Sequence, residues 1–265
     1  MPVTRLAIHG AAGRMGQRLI TLAAADPLLE IVAAIDAPAN PRIGHDAGTV
    51  AGLGTLGVLL SGSLEAPADV VIDFSVPAGA EAITRACVEK KIPLVMATTG
   101  LEEPANRMLH EAAKSIAVLW SPSMSLSVNL AMKLTEIASL ALKDDPSGAD
   151  VEIIERHHRF KEDAPSGTAL KFGEIVARAM GQSEFLHGRE GRPGKRPHGE
   201  IGFHAVRVGD NPGEHTIIFG LLGETLEINV KATNRDCYAH GALSAAKFLA
   251  GKPSGMYGMH DLLGF

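Results

Sequence analysis

Five short apolar runs in the first 125 residues alternate with segments of helical period, and this alternation most constrains the fold. The runs are Leu6-Ala7-Ile8, Ile31-Val32-Ala33-Ala34-Ile35, Val70-Val71-Ile72-Asp73-Phe74, Pro93-Leu94-Val95-Met96 and Ala117-Val118-Leu119-Trp120. Helical patterns fall among them at Arg14 to Ala25, where Met15, Leu19, Leu22 and Ala23 recur at helical spacing, at Pro77 to Lys90 and at Glu102 to Lys114. Strands apolar on both faces need cover on both faces, which helices between parallel strands supply. The expectation is a Rossmann-type, doubly wound parallel sheet over residues 1–125.

After Ser125 the pattern changes. A helix from about Val128 to Leu142 leads to Val151-Glu152-Ile153-Ile154-Glu155, which alternates apolar and polar, and then to a helix from about Ser166 to Met180. Residues 184–199, rich in Gly, Pro, Arg and His, read as a long exposed loop, and the basic stretch Arg189 to His198 as solvated or, alternatively, anion-contacting. Strand-like stretches at Gly202 to Val208, Glu214 to Phe219 and Thr225 to Val230 suggest an antiparallel meander. A last helix spans about Tyr238 to Ala250. The fold class expected is α/β, with a second α+β domain over 126–235 built on a largely antiparallel sheet, and with 236–265 returning to the first domain.

A net charge of −5 without clustered Lys and Arg argues against a nucleic-acid partner. No apolar run approaches the roughly 20 residues that span a bilayer. Met1 to Arg5 lead straight into the first strand without a secretory pattern. Cys87 lies in a helical apolar stripe and Cys237 in an expected loop, with no metal or redox spacing between them, so a reducing, cytoplasmic compartment suits both.

The turn Gly10-Ala11-Ala12-Gly13-Arg14-Met15-Gly16 joins the first strand to the first helix. Glycines there allow a tight turn and close approach of a diphosphate, and a helix N-terminus offers it unpaired N–H groups. Asp36, at the end of the second strand, stands where a carboxylate accepts hydrogen bonds from an adenosine ribose. Its charge disfavours a 2′-phosphate, and Ala37-Pro38-Ala39-Asn40 follow it, leaving Arg42 as the nearest cation. The cofactor expected is NADH or NADPH, with NADH favoured or tolerated. Ala97-Thr98-Thr99-Gly100 and Ser121-Pro122-Ser123-Met124-Ser125 fall at strand ends where they would face a nicotinamide, or are equally ordinary turns. Ser75 stands similarly at the third strand's end, or caps the following helix.

The most informative stretch is Glu155-Arg156-His157-His158-Arg159-Phe160-Lys161-Glu162-Asp163-Ala164-Pro165-Ser166-Gly167-Thr168-Ala169. It gathers titratable groups at a strand end and turns into a helix beginning Ser-Gly-Thr, an arrangement suited to a carboxylate. The histidines and lysine add positive charge and protons. Each feature alone is equally surface polarity or an N-cap. Vicinal histidines rarely chelate one ion and no third ligand is suitably spaced, so no metal is expected.

This run resembles the E-x-H-H-x-x-K-x-D-x-P-S-G-T-A signature of the 4-hydroxy-tetrahydrodipicolinate reductase (dihydrodipicolinate reductase) family. Gly10 to Gly16 is similar to that family's G-x-x-G-R-M-G, Ala97 to Gly100 to its G-T-T-G, and Ser121 to Asn129 to its A-P-N-[FM]-S-x-G-V-N. Arg207-Val208-Gly209-Asp210 with Gly213-Glu214-His215, and Lys231-Ala232 with Arg235, continue the likeness in the same order. Ala97 departs from the usual Gly, Ser121 and Ser123 from Ala and Asn, and Ala37 from the Arg of some members. The resemblance implies reduction of a cyclic imine dicarboxylate to tetrahydrodipicolinate in lysine and diaminopimelate biosynthesis. It implies proton transfer by His157 and Lys161 and carboxylate binding by His158, Ser166, Gly167 and Thr168, with a charged contact from Arg235. It places Gly10, Ala11, Ala12, Gly13, Arg14, Met15, Asp36, Ala97, Thr98, Thr99, Ser121, Pro122, Ser123 and Met124 at the cofactor, and implies a homotetramer. Two rivals differ at visible positions. A sugar dehydrogenase would carry E-K-P after the fourth strand, and a semialdehyde dehydrogenase a reactive cysteine. A non-catalytic nicotinamide sensor would not need His157, Lys161 and Ser166-Gly167-Thr168 together.

Overall fold

The computed structural model describes residues 2–265. In chain order the elements are β1 (Thr4–His9), α1 (Arg14–Ala24), β2 (Leu29–Ile35), α2 (Ala47–Val50), β3 (Leu60–Ser61), β4 (Val70–Asp73), α3 (Pro77–Lys90), β5 (Leu94–Met96), α4 (Glu103–Ala112) and β6 (Ala117–Trp120). There follow α5 (Leu126–Leu142), β7 (Asp150–His157), α6 (Gly167–Met180), β8 (Glu184–His187), β9 (Glu200–Arg207), β10 (Glu214–Leu221), β11 (Glu224–Lys231), α7 (Asp236–Leu249), β12 (Gly255–Tyr257) and α8 (Met259–Leu263). The chain divides into two units, residues 1–126 with 236–265, and residues 127–235.

The first unit is built on a seven-stranded parallel sheet in the order β12-β6-β5-β4-β1-β2-β3. The alternation of neighbouring side chains explains why its strands read as continuously apolar. Leu6 and Ile8 enter one core with Leu19, Ile20 and Ala23 of α1 and Ala242, Leu243 and Ala246 of α7. Ala7, between them, enters the other core with Ile83 and Cys87 of α3 and Leu109 of α4. Both faces are therefore buried, each such side chain contributing on the order of 1.5–3 kcal/mol. Burial also pushes the Cys87 thiol well above its ordinary pKa, an inert core group. Cys237, placed by sequence in a loop, lies in the first turn of α7.

Three short strands and α8 carry too few residues for a periodic signal. β3 is two residues long, and β12 pairs with β6 through Gly255, Met256 and Tyr257 after the last expected helix has ended.

The second unit holds a five-stranded mixed sheet in the order β11-β10-β7-β9-β8. The expected meander is realised only by β10 and β11. β9 lies on the other side of β7 and runs parallel to it. The connection from β7 to β9 contains α6, long enough for a parallel crossover, whereas strand spacing alone does not reveal which neighbours pair. The expected 184–199 loop begins with an edge strand, β8, parallel to β9. Nor is its basic stretch simply solvated: Arg189 pairs with Glu152 and Glu200, and Arg196 with Asp150 and Glu152. Helices α5 and α6 cover one sheet face through Val128, Met132, Phe172 and Val176 over Ile153, Phe203 and Ile217. Ile154 and Val206 on the opposite face remain exposed. Among the described residues no helix is long and apolar enough to cross a membrane.

Candidate active site

In the first unit, strand order reverses between β1 and β4, and the loops at the carboxyl ends of these strands frame a cavity of about 660 Å³. In open parallel sheets this switch point is where ligands bind. Gly10 turns the chain with φ +78°, and its N–H and that of Ala11 bond to Ile35 O. A Cβ at Gly16 would collide with the Gly10 carbonyl, so glycine is what lets α1 start close to the turn. The α1 N-cap is Gly13, which supplies no side-chain cap, so the first N–H groups are left to an external acceptor. This uncapped helix end beside a small-residue cleft fits a dinucleotide diphosphate.

Asp36 borders the same cavity and is held by the loop itself. Its Oδ2 accepts from Ala12 N at 2.9 Å, and its Oδ1 from Ala37 N and Asn40 Nδ2, each at 2.9 Å. The chain after Asp36 doubles back, so that Arg42 Nη1 donates to Ala12 O at 3.3 Å. The cation that is remote in sequence thus stands beside the same residue as the carboxylate. Arg14 is exposed at the start of α1 and Met15 is half-buried.

Ala97 and Thr98, just beyond β5, are buried, and Thr99 is exposed. Thr98 Oγ1 donates to Asp73 Oδ2 at 2.7 Å and accepts from Ser75 N at 3.0 Å. Ser75 is not the cap of α3, whose N-cap is Val76 without a side-chain bond. Beyond β6, Ser121 is buried and donates to Ser123 O at 2.8 Å, Pro122 is exposed and Met124 is core.

In the second unit, the sheet gathers a polar cluster at the end of β7. Glu155 and His157 share the face toward α6, being two residues apart on a strand. Register places His215 of β10 opposite Glu155, and Arg207 of β9 opposite His157. Glu155 is 1% exposed, and its two oxygens accept from Arg207 Nη2 at 2.7 Å, Arg207 Nη1 at 2.8 Å, His157 Nδ1 at 2.5 Å and Ser166 N at 3.0 Å. Burial opposes ionisation of this carboxyl, but these donors outweigh it and hold its pKa below the ordinary range.

A carboxylate only accepts, so His157 Nδ1 carries hydrogen and Nε2 is the free nitrogen. Gly213 gives it room, since a Cβ there would stand 2.9 Å from Nε2. Burial lowers the His157 pKa more than the hydrogen bond and charge of Glu155 raise it, and the smaller repulsions of Lys161 and Arg207 act in the same direction as burial. His215, deeper still, is pushed down to about 4 by burial, and its Nε2 lies 3.1 Å from Ser166 Oγ.

The turn after β7 brings Lys161 N to His158 O at 3.1 Å. Lys161 Nζ rests on Asp163 Oδ1 at 2.8 Å, and His158 Nδ1 is buried without a partner. Ser166 does cap α6, accepting from Ala169 N at 3.2 Å. A Cβ added at Gly167 would meet no atom within 4 Å, so the chain's own packing does not require glycine there. Thr168 is half-buried in the same turn. Arg235 is exposed in the turn between β11 and α7, without a carboxylate partner among the described residues.

The structure thus gathers His157, His158, Lys161 and the start of α6 at one end of the sheet. It adds Glu155, Arg207 and His215, to which sequence reasoning gave no role. The spacing of Glu155 from His157 on a strand was a usable signal; Arg207 and His215 arrive through pairing that spacing does not reveal.

The description "Dihydrodipicolinate reductase, N-terminus" matches residues 4–124, and "Dihydrodipicolinate reductase, C-terminus" matches residues 127–263. The chain is 54% identical to a 4-hydroxy-tetrahydrodipicolinate reductase of Rhodopirellula baltica, over 98% of this chain and 95% of that one. It is 45% identical to that of Alkalilimnicola ehrlichii, over 98% and 99%. The fold is similar to a dipicolinate-bound dihydrodipicolinate reductase from Paenisporosarcina sp. TG-14, with a TM-score of 0.79, 23% identity and coverage of 98% and 99%. Two family models that together span nearly the whole chain, and relatives matched over nearly their full length, make this chain a member of the dihydrodipicolinate reductase family.

Proposed function

We propose that the protein reduces 4-hydroxy-tetrahydrodipicolinate, or its dehydrated form dihydrodipicolinate, to tetrahydrodipicolinate in lysine and diaminopimelate biosynthesis. The observation that carries this reading is the cluster of His157, His158 and Lys161 beside the first turn of α6, in a chain of this family. The nicotinamide, when bound in the cleft of the first unit, supplies hydride to C4 of the unsaturated ring.

The remaining work falls to the chain. Hydride addition leaves negative charge on the ring, so fixed cations and a proton source lower the barrier. Lys161 protonates the enamine carbon, and His157, its Nδ1 committed to Glu155, handles protons at Nε2. The unpaired His158 Nδ1, Ser166, the open position at Gly167 and Thr168 hold the carboxylates, joined by Arg235. When the hydroxylated form binds, the 4-hydroxyl leaves as water.

In the first unit, Gly10 to Met15 receive the diphosphate, and Asp36 receives the adenosine ribose. Ala97 to Thr99 and Ser121 to Met124 receive the nicotinamide side. Asp36 favours NADH, while Arg42 offers a positive charge to a 2′-phosphate, so NADPH is also accepted. The exposed sheet face carries Ile154 and Val206 among polar side chains such as Glu152, Arg156 and His204, and a neighbouring subunit would cover it, in keeping with a cytoplasmic homotetramer. Loss of NADH absorbance on adding 4-hydroxy-tetrahydrodipicolinate, generated in place from aspartate semialdehyde and pyruvate, tests the reaction.

A further inference from the structure

His9 is the last residue of β1 and Asp73 the last of β4, and they are register partners at the point where strand order reverses. Their side chains meet, His9 Nδ1 standing 2.5 Å from Asp73 Oδ1. Asp73 is fully buried and His9 only 8% exposed. The second oxygen of Asp73 accepts from Thr98 Oγ1. As the carboxylate accepts on both sides, Nδ1 of His9 carries hydrogen and Nε2 is turned away from Asp73.

The ring borders the 660 Å³ cavity together with Gly10, Gly13, Asp36 and Ser75. Helix α3 is trimmed where the ring passes: a Cβ at Gly79 would stand 3.1 Å from His9 Cε1. A buried ionisable pair is a poor source of stability compared with apolar side chains of similar volume, and neither the glycine turn nor the proton-transfer cluster uses it.

We propose that His9 is a dinucleotide-binding residue, its Nε2 contacting the diphosphate while Asp73 holds the ring. The groups facing His9 are Asp73 on β4, Thr98 beyond β5, and Ser75 and Gly79 at the start of α3. Asp36 borders the cavity from the end of β2, and Arg42 stands beyond it on Ala12. The inference rests on the reading that the first unit binds a dinucleotide, and it needs no turnover to be tested.

Calorimetric titration of the whole chain with ADP-ribose, which carries the diphosphate, and with adenosine, which carries no phosphate, separates the contributions. The unsubstituted protein should bind ADP-ribose about tenfold more tightly than His9→Ala or His9→Gln, the scale of a hydrogen bond to a charged group. Adenosine binding should be unchanged in both variants. Using both substitutions guards against one that fails to fold, with circular dichroism melts reporting the folded state. Folded His9 variants that bind ADP-ribose as tightly as the unsubstituted protein would overturn the proposal. If ADP-ribose binds as expected and no reduction of the dicarboxylate occurs, the reaction assigned above is wrong and this inference stands. If ADP-ribose does not bind at all, both the dinucleotide reading and this inference fall.

Discussion

Glu155 accepts a hydrogen bond from His157 Nδ1 at 2.5 Å, both residues lying on the covered face of β7. The contact decides which imidazole nitrogen is available for proton transfer. Glu155→Gln keeps the size of the side chain and removes the charge. It should lower turnover by about two orders of magnitude, the scale of a positioned acid–base group. Nitrogen-detected NMR should show the His157 tautomer mixture change in the same variant. Unchanged tautomer and turnover would leave Glu155 a structural group alone.

His157→Ala and Lys161→Ala should each lose about 10²-fold or more in turnover. Steady-state kinetics check this, and near-normal turnover in both would remove them from the chemistry. Asp163→Asn frees the Lys161 ammonium from its partner and should change turnover far less than either.

Thr168→Val should raise KM for the dicarboxylate several-fold with little change in turnover, because it removes a binding hydroxyl worth about 1 kcal/mol. A fall in turnover at constant KM would place Thr168 at the reacting atoms instead.

Stability should fall on acidification above the carboxylate range. His215 is depressed to about 4 in the folded chain, so between roughly pH 6.5 and 4 the unfolded chain binds the extra proton. His157 is shifted in the same direction. Stability contributed by a neutral buried His215 is thus present near neutrality and is lost as pH falls, by up to about 1.4 kcal/mol per pH unit. Urea unfolding at pH 7 and pH 5 should show a larger loss for the unsubstituted protein than for His215→Gln. Equal losses would mean His215 does not control this window.

Arg42→Ala should weaken NADPH binding by several-fold and leave NADH binding nearly intact, since only the 2′-phosphate adds a charge there. Binding titrations with both nucleotides decide this. A hundredfold preference of the unsubstituted protein for NADPH would contradict the role given to Asp36.

The first sheet was legible because Leu6, Ala7 and Ile8 are apolar in succession, and only a sheet buried on both faces asks for that. The short edge strands β3, β8 and β12 were not, since Leu60-Ser61, Glu184 to His187 and Gly255 to Tyr257 lack the continuous apolar run that marked β4, β5 and β6. The second sheet's composition was visible but its order was not: β9 and β10 are neighbours in sequence and are separated by β7 in space. The same gap hid the roles of Arg207 and His215, which lie in the motifs of the family likeness but reach the Glu155 cluster only through strand pairing. Arg42, already the nearest cation to Asp36 in sequence, folds back onto Ala12, a placement the loop composition alone does not disclose. His157, Lys161 and the Ser166-Gly167-Thr168 turn lie within a dozen residues, and so a linear motif could disclose them.

The most direct test is a single absorbance trace. With 4-hydroxy-tetrahydrodipicolinate generated in place, the protein should consume one NADH or NADPH per dicarboxylate reduced, and the His157→Ala, Lys161→Ala double variant should fall to background. No nucleotide oxidation by the folded, unsubstituted protein, under conditions where substrate generation is verified independently, would contradict the account.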